Sequence, residues 1–129
     1  MIKLIVPLPP SVNKAYYHNS KGKFLQTFYS KFSKDWFEQA IPIIQNWMTI
    51  NKMKSFEDYM YCDMHFYLNR RNSDSHNFTK ILFDGFEKAG LFIDDRYIMA
   101  RTQEIDLDPK YPRIECIFSI PTKDNIMQI

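Results

Sequence analysis

From Glu57 to Asn69 the chain alternates between two kinds of side chain without interruption. Met60, Cys62, Met64, Phe66 and Leu68 fall on one side, and Tyr59, Tyr61, Asp63, His65 and Tyr67 on the other. A period of two over this length is the mark of a strand with one face buried and one wet, so the fold must contain a sheet with a covered face. It places Cys62 in the core and leaves His65 as a surface or cross-strand residue. Arg113 to Ile120 repeats the pattern with Ile114, Cys116, Phe118 and Ile120 inward. Tyr97 to Ile105 is expected to pair with that strand across the turn at Asp108, Pro109 and Lys110. Ile2 to Val6 reads as a short strand ended by Pro7, Pro9 and Pro10, because proline cannot donate to a ladder.

Between these strands the period changes to that of a helix. From Ser30 to about Asn51, apolar residues recur at Phe32, Trp36, Ala40, Ile43, Ile44 and Trp47, with Pro42 expected to kink or split the helix. This aromatic stripe reads as core packing rather than as a ligand box. A second helix is predicted from about His76 to Ala89. Asp74 or Ser75 caps it, Phe78, Ile81, Leu82 and Phe86 form its buried stripe, and Gly90 stops it. Tyr16 to Thr27, with Asn19, Lys21 and Gly22 between aromatic ends, suggests a hairpin. The order strand, hairpin, helix, strand, helix, strand, strand points to an α+β domain: one mixed sheet with two main helices packed against it. At 129 residues the chain makes a single domain, 1–129, and it shows no internal repeat or linker. The tail after Pro121 is polar and expected to fray.

Composition narrows the class. Hydrophobic residues at 45% and charged residues at 25% are the proportions of a folded soluble protein. No run approaches the roughly 18 to 20 apolar residues of a membrane span, which sets membrane and secretion readings aside. Cys62 and Cys116 are far apart and lack a CxxC spacing, so they offer neither a disulfide framework nor a four-ligand zinc site. Reduced thiols in a cytoplasm are expected.

The net charge of +2 hides an uneven distribution. Residues 1–34 carry six lysines and no Asp or Glu, while all 15 acidic residues lie beyond them. Lys14, Lys21 and Lys23 interleaved with Tyr16, Tyr17, His18 and Phe24 have the composition of a nucleic-acid surface, where Lys meets phosphate and rings stack on bases. The plainer reading is a solvated lysine-rich loop.

Chemistry is densest from Arg70 to Asp95. Arg70 and Arg71 lead into Asp74, His76 and Asn77, and then come Lys80, Asp84, Gly90, Asp94 and Asp95. His76, Lys80 and Asp84 are four residues apart and share a helix face. For Asp84 an ordinary helix ion pair with Lys80 or Lys88, worth about 0.3 to 0.5 kcal/mol, is the preferred reading over a catalytic role.

The stretch DSHNFTKILFDGFEKAGLFIDDRYI resembles the RusA family of Holliday junction resolvases. That family's pattern is Asp-x-Asp-Asn-x-x-Lys opening a helix, an Asp four residues after the Lys, and then Gly followed by an Asp-Asp pair. Asp74, Asn77, Lys80, Asp84, Gly90, Asp94 and Asp95 match with spacing intact, and PLPPSVNKAYYHN is similar to the family's Pro-Pro-Ser-x-Asn opening. The resemblance spans residues 5–118 in element order. It departs at His76, which stands where the family has a second catalytic Asp.

The resemblance implies a metal-dependent, structure-selective endodeoxyribonuclease that resolves four-way junctions by paired symmetric nicks. It implies branched DNA as partner and a homodimer to match the junction's two-fold symmetry. Hydrolysis of a phosphodiester needs a positioned, activated water and positive charge on the phosphoryl oxygens, which carboxylates supply through Mg²⁺ or Mn²⁺. Asp74 and Asp95 are then the best-matched ligands, with Asp94 and His76 beside them and Lys80 against the scissile phosphate. Lys14, Tyr17, His18, Lys21, Lys23, Arg70, Arg71 and Asn77 make up the expected DNA surface. The alternative is a junction-binding protein whose cleavage is weak or lost because His76 replaces a carboxylate. A small metal-binding or structural dimer would leave the basic N-terminal quarter unused. A helix of about 13 residues rises on the order of 20 Å, so residues 91–95 must run back along it, or a partner subunit must bring Asp95 close.

Overall fold

The computed structural model describes residues 3–21, 24–71 and 74–121, with side chains outside 19–26. Its elements are β1 (Leu4–Pro7), a short α1 (Val12–Ala15), β2 (Tyr16–Lys21), β3 (Phe24–Tyr29), α2 (Lys31–Ile50), β4 (Met60–Leu68), α3 (Thr79–Ala89), β5 (Ile98–Leu107) and β6 (Arg113–Ser119). One four-stranded mixed sheet runs in the order β1-β6-β4-β5, and β2 and β3 form a separate antiparallel hairpin. This is the α+β arrangement of a sheet with two main helices. The tip residues Gly22 and Lys23 and the tail beyond Pro121 lie outside the described residues.

β4 alternates as its sequence demands, with Met60, Cys62, Met64, Phe66 and Leu68 buried. It sits inside the sheet, antiparallel to β6 and parallel to β5. The expected β5–β6 hairpin does not form. β5 ends beside β4, where the Asp108 amide donates to the Leu68 carbonyl at 2.8 Å, and the chain then crosses the end of β4 to start β6 opposite Tyr67. The cause is visible in the side chains. β5 is almost wholly exposed and belongs at an edge, whereas β6 has an apolar face that suits the place between β1 and β4. Ile114, Cys116 and Phe118 face inward, but Ile120 lies past the end of β6 and is exposed, contrary to expectation.

α2 is capped by Ser30, whose Oγ accepts from the Ser33 amide. It is not split at Pro42, one of the two outcomes expected there; the proline is exposed, so water can satisfy the carbonyl it leaves without a donor. Trp36, Phe37, Ala40, Ile44 and Trp47 supply the buried stripe. α3 meets α2 at Gly85, where a Cβ would lie 2.7 Å from the Trp36 ring, so only glycine permits this approach. The two helices close the core over the sheet: Phe118 of β6 has ring neighbours Trp47, Phe56, Phe86 and Phe92 at 5.6–6.0 Å. Cys62 and Cys116 are free and buried in this core. No helix among the described residues is long and apolar enough to cross a membrane.

The other face of the sheet is polar and internally paired. Arg101 grips Asp63 through two nitrogens at 2.5 and 2.8 Å, Arg113 bonds Glu115 and Asp108, and His65 pairs with Asp106 at 2.6 Å while stacking on Tyr67. His65 is thus the cross-strand residue its face suggested.

Candidate active site

The site grows from the two ends of α3. At its start the Asp74 carboxylate accepts from the His76 amide at 3.0 Å, capping the first turn. That turn, Ser75–Phe78, is 3₁₀ rather than the α-helix expected from His76, because the Asn77 amide bonds back three residues to the Asp74 carbonyl. Asp74 and His76 are exposed, and Asn77 is half-buried.

At the far end Gly90 takes a left-handed conformation, φ 84°, with the Leu91 amide on the Phe86 carbonyl and the Gly90 amide on Glu87. This is a Schellman reversal, and buried Leu91 anchors it. The returning chain is fixed by a parallel bridge between Phe56 and Phe92. Asp94 then caps a short 3₁₀ turn by accepting from the Arg96 amide at 2.9 Å, and the Asp95 amide donates to the Glu87 carboxylate at 2.9 Å. As a result, ligand oxygens of Glu87, Asp94 and Asp95 all lie within 4.8 Å of one another. The sequence pattern did not single out Glu87, which looks like a helix-surface charge until residues 91–95 fold back against it. The chain does run back along α3, as far as Glu87. Asp74 and His76 belong to neither of the two potential ligand clusters among the described residues; the second is His65, Glu104 and Asp106.

Between these ends, Lys80 bonds Asp84 at 3.4 Å, the i,i+4 pair that the spacing suggested. The negative charge of Asp84 is the chief reason the Lys80 ammonium is held above its usual range. Asp84 is more than a surface partner, however, because it is buried and also accepts from Tyr29 Oη at 2.9 Å and Tyr16 Oη at 3.5 Å. Burial first, and then the bond to Asp84 and its charge, push both phenols up, so both remain donors.

The residues expected at a DNA surface lie in the N-terminal quarter, just after β4 and in the turn before α3. Ser30 and Ser33 bond the Lys14 and Ala15 carbonyls at 2.5 and 2.7 Å, tying the base of the hairpin to the start of α2. Lys14 and Arg70 line one cleft of about 420 Å³ together with exposed Phe32. On the hairpin, Tyr17 stacks on Phe28 at 5.3 Å and His18 bonds Thr27 at 3.0 Å. Arg71 is exposed beside Arg70. The side chains of Lys21 and Lys23 fall outside the described residues.

The family model for Endodeoxyribonuclease RusA matches residues 7–117. This chain belongs to the RusA family. No curated protein matches it. The match spans every element from the end of β1 through most of β6, and so takes in both the hairpin and α3 with its two flanking acidic ends. A RusA chain is an endodeoxyribonuclease by family, and the carboxylates around α3 are groups that could hold a metal.

Proposed function

We propose that this RusA protein is a divalent-metal-dependent nuclease that resolves four-way DNA junctions as a homodimer, by symmetric nicks. One observation carries the reading: the family-pattern residues are strung along α3 and its two ends, with Asp74 capping the turn before it, Lys80 in its first turn and Asp94 and Asp95 returned beside Glu87 near its end.

The Glu87, Asp94 and Asp95 set offers only carboxylate oxygens, the donors that hard Mg²⁺ and Mn²⁺ prefer, so the residues fit such an ion. When bound, a divalent cation supplies charge neutralisation at the phosphoryl oxygens and acidifies the attacking water. Asp94, Asp95 and Glu87 would hold it, with Asp74 and His76 the further ligand candidates of the pattern. Lys80 neutralises the phosphate oxygens, kept charged by its carboxylate neighbour. Lys14, Lys21, Lys23, Arg70 and Arg71 bind flanking phosphates, Tyr17 and His18 meet the DNA from the hairpin, and Asn77 from the first turn before α3.

The direct test incubates the protein with a labelled four-way junction and a linear duplex of the same sequence, each with Mg²⁺ or Mn²⁺. Paired nicks on the junction alone are expected. Binding without nicking in either metal would instead favour a junction-binding protein disabled at His76. Sedimentation equilibrium at micromolar concentration is expected to give twice the 15.5 kDa chain mass.

Two further outcomes are expected. Replacing Lys14, Lys21 and Lys23 by Ala should weaken binding to all DNA forms and flatten log affinity against log salt by about 0.9 for each phosphate no longer neutralised. An unaltered slope would remove this surface from the interface. Imidazole serves Mn²⁺ better than Mg²⁺, so cleavage should favour Mn²⁺, and His76→Asp should raise Mg²⁺-supported nicking by restoring a hard oxygen. A rate indifferent to His76→Asp in both metals would show that position 76 is not a ligand.

A further inference from the structure

Asp84 enters the chemistry above only through the charge of Lys80, yet it and Glu115 are the only buried carboxylates among the described residues. Glu115 is explained by Lys3 and Arg113 on its own sheet. Asp84 is bonded instead to groups on three elements. Its Oδ1 faces Lys80 on α3, and its Oδ2 takes the hydroxyls of Tyr16, the first residue of β2, and Tyr29, the last of β3. Those two tyrosines are paired across the open end of the hairpin and their rings stack at 5.6 Å. One buried carboxylate therefore spans from the base of the hairpin to Lys80 in the first turn of α3. Other charges around it are Lys34, which lines a cleft with Tyr16, Tyr29, Lys80 and Asp84, Lys88, whose ammonium lies 5.1 Å from the Tyr29 ring centroid, Glu87, whose charge reaches Tyr29, and Asp95, whose charge reaches Lys80.

We propose that Asp84 is a positioning residue that locks the base of the β2–β3 hairpin to Lys80, so that DNA gripped by the hairpin meets Lys80 at a fixed offset. The inference rests on the nuclease reading for its catalytic half and on the hydrogen bonds alone for the clamp. A charge-assisted bond to two phenols and an ammonium is strong and directional, and a misplacement of about 1 Å at a phosphate is enough to cost on the order of a hundredfold in rate.

The test compares the whole protein with Asp84→Asn, Tyr16→Phe/Tyr29→Phe, Lys80→Ala and the Asp84→Asn/Lys80→Ala combination. Hydrogen exchange is read on the free protein, and kcat and KM are read on a four-way junction. In Asp84→Asn the hairpin amides should exchange about tenfold faster, since opening of this unit no longer breaks charged bonds. Its kcat should fall about 10- to 100-fold with KM little changed. Within Lys80→Ala the same change should cost almost nothing more, which a general loss of stability would not reproduce. Should Asp84→Asn not fold, the phenylalanine pair decides, because it keeps both rings and the carboxylate: faster hairpin exchange and a lower kcat are expected. Unchanged exchange in the variants overturns the clamp. Equal losses with and without Lys80 overturn its action through Lys80. A wild-type protein that nicks no DNA overturns the nuclease reading and the catalytic half with it, while the exchange data still decide the clamp.

Discussion

Asp95→Asn is expected to lower junction nicking about a thousandfold, the scale on which removing one preorganised charge-stabilising group acts. Asp95 sits where the chain returned by Gly90 meets α3, its amide fixed on Glu87 and its carboxylate facing those of Glu87 and Asp94. The amide carries the backbone geometry, so the substitution leaves the fold intact and removes only the anionic oxygen. Junction affinity should hold or rise slightly, because a negative charge is removed from a surface that faces phosphates. Binding and nicking measured on the same labelled junction separate the two effects. Nicking within about tenfold of wild type would show that Asp95 is not a ligand and would shift the site toward Asp74. Asp74→Asn is expected to be similarly damaging.

The second large effect is structural. Phe118→Ala should destabilise the fold by about 3 to 5 kcal/mol, the range for emptying a buried aromatic site. Phe118 is fully buried and is the ring on which Trp47 of α2, Phe86 of α3, and Phe56 and Phe92 of the bridge converge. These neighbours belong to different elements and cannot all collapse into the void. In a domain of this size the loss corresponds to a fall in Tm on the order of 15 °C. Phe92 lies two residues before Asp94, so the cavity also loosens the segment that carries the acidic pair. A Tm within a few degrees of wild type would mean that the core refills the space.

How much of this was legible depended on whether a residue's environment is local. The inner face of β4, the cap at Asp74 and the stop at Gly90 follow from short-range pattern, and they appear as expected. The partner of β5 was misread because the turn at Asp108 to Lys110 suggested sequence neighbours as spatial neighbours. The polar residues Arg101, Gln103, Glu104 and Asp106 already described an edge strand, and β4, with apolar residues to bury, took the interior. Glu87 and Asp84 were hidden for a different reason. Each gains its meaning from a group brought in by tertiary folding: Asp95 by the reversal at Gly90, and Tyr16 and Tyr29 from a hairpin more than fifty residues upstream.

The sheet order bears on how the protein is born. β6 lies between β1 and β4, pairing Leu4 with Cys116 and Cys62 with Phe118. Until that strand leaves the ribosome, β1 has no neighbour in the sheet and the β4–β5 ribbon lacks its second side. Both helices then have only half a floor to rest on. A nascent chain halted between Asp95 and Arg113 thus holds α3 and both its acidic ends without the complete sheet beneath them. The support of α3 and its acidic ends by a complete sheet is therefore tied to the arrival of β6, although every residue that α3 and those ends contribute is made earlier.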